Sequence, residues 1–209
     1  MFKNCILPAV IILISFSGCS ITEHDNPINN DELEISNEFK VPKGLDFKDV
    51  IHIGQELSKV LGRDQKSNAF AFSMDYSELQ IGGVLNPFVE NGRIIHQQLL
   101  DQINASPVWN TLSEDDKQSI LSLSDQELAE LSFIISVSNQ ITSTSVDGDR
   151  IRSCVAGVLG VGAVKELVKN TAALASAEVA AEILILVGKR TLGWVALGWM
   201  IWDFYDCVK

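Results

Sequence analysis

Positive charge is in short supply: 16 Lys and Arg stand against 27 Asp and Glu, for a net charge of −11 and an isoelectric point near 4.6. Nucleic-acid binding needs clustered cations that displace counterions from phosphate, so that class of function is excluded. Only 3 His and 4 Cys are spread along 209 residues, too few and too scattered for a zinc-finger framework. No G-x-S-x-G elbow occurs, and a catalytic triad has nothing to build on. Glycines 157, 160 and 162 spell G-x-x-G-x-G, which is not the dinucleotide fingerprint. What is present is ordinary for a folded chain: 46% hydrophobic and 21% charged residues, too apolar for full disorder.

The first twenty residues read MFKNCILPAVIILISFSGCS, with Lys3 as the only charge. Cys5 to Phe16 is nearly all apolar, about the length of a signal-peptide core. It is shorter than the ~20 residues of a membrane-spanning helix. The run Phe16-Ser17-Gly18-Cys19 resembles a bacterial lipobox, with Phe16 where leucine is usual. That resemblance implies a lipoprotein signal peptide over residues 1–18 and lipidation of Cys19. It places the protein at the bacterial cell envelope, anchored to a membrane and facing the periplasm or the surface. An ordinary signal peptide or a short uncleaved anchor is the alternative. Cys5 would then leave with the signal and Cys19 would carry lipid. Cys154 and Cys207 remain, a pair in a compartment where disulfides persist, and are expected to bridge; two buried thiols are the other reading.

Residues 19–44 read as a flexible tether, polar and without a period, closed by Pro42 and Gly44. Asp46 is a plausible N-cap for a helix carrying Phe47, Val50, Ile51, Leu57, Val60 and Leu61, with Gly62 as its stop. Residues 69–81 suit a helix or an irregular segment. Gly82-Gly83 is expected to break the chain, and Asn86-Pro87 to start a new helix ending at Ser106-Pro107. Ser113 with Asp116, and Ser124 with Glu127, are capping pairs for two more helices. The stretch from Ser143 to Gly148 is polar and marks a boundary. Residues 45–150 form an acidic helical region: from Cys19 to Arg150 nine basic residues face twenty-two acidic ones. Residues 151–209 form an apolar block rich in Gly and Trp, with six basic residues against five acidic. Breaks at Asn170-Thr171 and Gly188-Lys189 divide it into three helices of sixteen to eighteen residues. At ~1.5 Å per residue, an up-down-up bundle of such helices separates Cys154 from Cys207 by far more than the ~7 Å a disulfide allows. The disulfide and the regular bundle therefore exclude each other. The fold class is all-α, an irregular helical bundle with an N-terminal disordered tether.

Several groupings have a bland and a sharp reading. Gly157, Gly160 and Gly162, with Gly193 and Gly198, suit close helix packing, in water or in lipid. Trp194, Trp199 and Trp202, with Phe204 and Tyr205, read as core or as an interfacial anchor. Glu178 and Glu182 at i, i+4, like Asp203 and Asp206, mark a solvated stripe more readily than an acid–base pair. Asp147-Gly148-Asp149 is a fragment of a calcium loop without its other ligands. His96 reads as a structural histidine, while His52 and His24 stand apart from it.

Asn86-Pro87-Phe88, Gly92, His96 and Leu99 resemble a motif of uncharacterised exported bacterial proteins. In that motif an aromatic follows the proline, then Gly, then His-Asn; here Gln97 replaces the Asn. The resemblance covers about fifteen residues and implies no activity. Gly92 inside it reads as a ligand site or as close packing.

The expectation is an exported, lipid-anchored, non-enzymatic binding or structural module. Its partners are the membrane, through the anchor, and a protein. No nucleic acid, metal or small-molecule cofactor is expected. The alternative is a membrane-active protein, bacteriocin-like or pore-forming, acting through residues 151–209. An envelope hydrolase is a distant third.

Overall fold

Helix α1 (Phe47–Gly62) begins and ends where the pattern of apolar residues places it. The Asp46 carbonyl accepts from the amides of Asp49 and Val50, and Val50, Ile53, Leu57 and Leu61 turn one buried stripe inward. The computed structural model describes residues 39–62, 74–142, 148–159, 176–190 and 192–209. The signal sequence, Cys19, His24, the tether through residue 38, Asp147, Gly160 and Gly162 lie outside them.

Helix α2 (Met74–Asn104) corrects the expected break. It runs for 31 residues through Gly82, Gly83 and Pro87. Pro87 has no N–H for the Gly83 carbonyl, a loss of ~3 kcal/mol, and each glycine costs ~1 kcal/mol against alanine. Burial outweighs this. Ile81, Leu85, Phe88, Ile95 and Ile103 are each at most 1% exposed, and each such side chain contributes ~1.5–3 kcal/mol.

The short α3 (Val108–Thr111) leads to α4 (Glu114–Leu121), whose N-cap Ser113 accepts from the Asp116 amide at 3.2 Å. Helix α5 (Asp125–Thr142) opens with the expected capping box: the Ser124 amide donates to Glu127 Oε2 at 2.6 Å, and the Glu127 amide to Ser124 Oγ at 3.4 Å. From Leu128 to Ser138 every residue of α5 is buried, so it is a central helix enclosed on all sides. Its closest neighbour is α2. A Cβ on Gly92 would fall on the Leu128 carbonyl, so Gly92 permits this approach, and the packing reading holds there.

Helices α6 (Gly148–Val158), α7 (Ala177–Gly188) and α8 (Trp194–Val208) complete the described elements, among which there is no strand. They are 11, 12 and 15 residues long, and the break expected at Asn170-Thr171 lies outside the described residues. Cys154, on the second turn of α6, is bridged to Cys207 on the last turn of α8, with Cα atoms 5.7 Å apart. Arg150 Nη2 donates to the carbonyls of Cys207 and Lys209 at 3.2 and 3.0 Å. The start of α6 thus meets the end of α8, and the bundle is irregular. α7 packs on α2 and α4, and α8 on α1, α2 and α6. Three edge-on ring contacts tie the centre together: Phe88 to Phe133 at 5.8 Å, Phe133 to Phe204 at 5.4 Å, and Phe204 to Phe47 at 6.4 Å.

Of the glycines expected to form a packing face at 157, 160 and 162, only Gly157 is described, and no described residue lies within 4 Å of where its Cβ would stand. The close packing expected at Gly198 is present: a Cβ there would be 2.9 Å from Ile81 Cγ2.

Candidate functional site

Three features stand out against the packed helices: a docked extended segment, a buried ion pair and an open groove.

Residues 39–46 are neither helical nor free. Lys40 exchanges two hydrogen bonds with the Gln102 amide, its N–H to Oε1 at 2.6 Å and its carbonyl from Nε2 at 2.9 Å. Asn139 Nδ2 donates to the Pro42 carbonyl at 3.3 Å, and Asn91 Nδ2 to the Lys43 carbonyl at 3.4 Å. The Leu45 amide donates to Ser136 Oγ at 2.8 Å. Buried Ser132 donates to Asn91 Oδ1 at 2.8 Å, which orients that amide. Side chains of α2 and α5 thus stand in for the strand partner that an extended backbone would otherwise need. Pro42 and Gly44 are buried, and a Cβ on Gly44 would overlap Ser136. The end of the segment read as tether is therefore fastened to the helical body.

Glu130, on α5, is 1% exposed. Arg190, in the turn between α7 and α8, donates to its Oε1 at 2.8 Å and to the Leu159 carbonyl at 3.4 Å. Among the described residues Glu130 Oε2 has no hydrogen-bond partner. Burial pushes the carboxyl up to about 7, against the attraction of Arg190; Glu127 nearby adds to the rise. The neighbouring Lys189 pairs with Asp116 at 2.6 Å and holds that carboxyl below its ordinary range, with help from Ser113.

The groove has a volume of about 710 Å³. Glu78, Leu79, Gly82, Gly83 and Asn86 give it a floor along one face of α2, and Asp125 and Trp194 close its sides from the starts of α5 and α8. Trp194 covers Gly82: a Cβ there would sit 3.3 Å from indole Cε2. Glu78 Oε1 lies 3.9 Å from where a Cβ of Gly193, the N-cap of α8, would be. The carboxylate therefore faces a helix N-terminus, which favours negative charge. Asp125 Oδ1 accepts from Arg93 Nη2 at 2.8 Å.

The groupings singled out in the sequence do not converge. Glu178, Glu182, Asp203 and Asp206 are exposed on α7 and α8, a solvated stripe. His96 Nε2 is hydrogen-bonded to the Ile120 carbonyl at 2.7 Å and ties α2 to α4; His52 is exposed on α1. Asp149 pairs with Arg152 at 2.9 Å. Among the described residues no group of three His, Cys, Asp or Glu is placed to hold a metal ion. Trp199 and Trp202 meet edge-on at 5.1 Å, half-buried. Asn86, Pro87 and Phe88 share a helix with Gly92 and His96, but only Asn86 reaches the groove; Phe88, Gly92 and His96 serve packing. Glu130, Arg190 and the groove were missed. The one available signal for Glu130 was a lone acid between Ala129 and Leu131 in a helix uncharged from Leu131 to Ile141.

No protein-family model, curated protein or solved structure matches the chain.

Proposed function

We propose that this is an exported, lipid-anchored protein of the bacterial envelope whose helical body is a non-enzymatic binding module. The observation that supports this reading over a membrane-active one is the burial of the apolar faces of α7 and α8, described helices of the C-terminal block. Ile183, Leu184, Leu197, Ile201 and Phe204 are at most 2% exposed and belong to the same core as α1, α2 and α5. Large exposed hydrophobics among the described residues are Val41, Leu79, Ile94 and Leu121, all outside that block. No described helix is long and apolar enough to cross a membrane.

Two assays test the proposal. Acyl labelling and fractionation should show the wild type in the membrane fraction, and Cys19→Ala either soluble or as an uncut precursor. Labelling that persists in Cys19→Ala refutes the anchor. The folded full-length protein should leave dye-loaded vesicles intact. Leakage at low protein concentration would favour the membrane-active alternative.

A further inference from the structure

We propose that the groove over Gly82 and Gly83 receives a lysine or arginine side chain of a partner protein; this rests on the binding-module reading and names the class of partner.

The first observation is an unexplained glycine. Glycine is the poorest helix former after proline, and here two stand side by side within α2. The fold accounts for Gly82, because the Trp194 indole occupies the place of its side chain. It does not account for Gly83, where no described residue lies within 4 Å of a Cβ and the backbone is helical. Gly83 lines the large groove and also a second one, of about 410 Å³, that reaches Glu56 and Val60 of α1. A bare backbone on the ridge between two grooves favours the close approach of something outside the chain.

The second observation is the chemistry of the walls. Leu79 is 76% exposed and, with the half-buried Trp194, offers apolar surface beside the carboxylates of Glu78 and Asp125. Asp125 is already paired with Arg93. Glu78 has no ion pair among the described residues, and its Oε1 lies beside Gly193, the N-cap of α8. Apolar surface next to a carboxylate with no cationic side chain paired to it among the described residues, and next to an indole, matches a cation on an aliphatic stem. The stem lies over Leu79 and Trp194, and the cation meets Glu78 and the ring. An anion is repelled by both carboxylates and by the net charge of −11. A neutral saccharide could stack on the indole but leaves the charge of Glu78 unused.

The test uses the full-length protein in detergent with hexalysine as the probe, titrated at low and high salt. Binding is followed at the Trp194 indole N–H, assigned by its loss in Trp194→Phe. Hexalysine should shift that resonance, and Glu78→Gln should weaken binding about tenfold. Glu178→Gln, an equal change of charge on the exposed face of α7, should leave it unchanged. Gly83→Ala should raise the melting temperature while weakening hexalysine binding. Equal weakening by Glu78→Gln and Glu178→Gln would overturn the proposal, since it would report bulk acidity. So would a Trp194 shift with chitotriose and none with hexalysine. Either result leaves the binding-module reading to the vesicle assay, which is independent of this groove.

Discussion

Glu130→Gln separates two opposing effects on one carboxyl. Arg190 attracts a proton-free Glu130 at 2.8 Å, whereas burial at 1% exposure with Oε2 unpartnered favours the protonated form. Burial prevails, and the carboxyl titrates at about 7 instead of the ordinary 4.5. Because the folded value is raised, the folded state binds the extra proton. The resulting stabilisation is complete below pH ~4.5 and disappears as pH rises through ~7. A shift of this size corresponds to ~3 kcal/mol. The substituted amide does not titrate, and its carbonyl still accepts from Arg190. Wild type and Glu130→Gln are unfolded in urea at a series of pH values, and the difference between them is plotted, which cancels every other titration. Wild type should lose ~3 kcal/mol relative to the variant between pH ~4.5 and ~8. A flat difference would mean that Arg190 balances burial, and a gain by wild type as pH rises that it outweighs burial; either would refute the reasoning.

The remaining expectations concern close packing, the bridge and the docked segment. Gly92→Ala drives a Cβ into the Leu128 carbonyl and should cost at least ~1–3 kcal/mol, whereas Gly83→Ala meets open space and should stabilise by ~0.4–1 kcal/mol; urea midpoints decide both. Reducing Cys154–Cys207, which lie 53 residues apart, should lower stability by up to ~4 kcal/mol, and alkylation of denatured, unreduced protein should find neither thiol free. Ser136→Ala removes the acceptor of the Leu45 amide and should cost ~1–3 kcal/mol; amide exchange at Leu45 should accelerate while that of α1 stays slow.

Helix ends written in local chemistry were legible. Ser113 with Asp116, and Ser124 with Glu127, depend on side-chain bonds spanning three residues and appear as read, and α1 spans Phe47–Gly62 between the residues expected to bound it. The pairing of Cys154 with Cys207 followed from counting, and the irregularity of the bundle followed from the pairing. What failed was local reasoning applied to a residue whose fate is tertiary. Gly82, Gly83 and Pro87 would stop an isolated helix, but Phe88 and Leu85 are buried on both sides of the proline and carry α2 through. Gly157 shares its spacing with a packing face yet meets no described neighbour, whereas the packing readings of Gly92 and Gly198 hold. The groove draws its walls from residues 78–89, 125 and 194, and Glu130 meets an arginine sixty residues away. No pattern within one segment carries such meetings.

Amide hydrogen exchange with and without anionic vesicles tests the central claim most directly, namely that α7 and α8 are part of the core and not a segment held in reserve for a membrane. Leu184, Leu197 and Ile201 should exchange as slowly as Phe88 and Phe133, only through global unfolding, and vesicles should leave their rates unchanged. Faster exchange confined to α7 and α8, or a vesicle-dependent release of those helices, would contradict it.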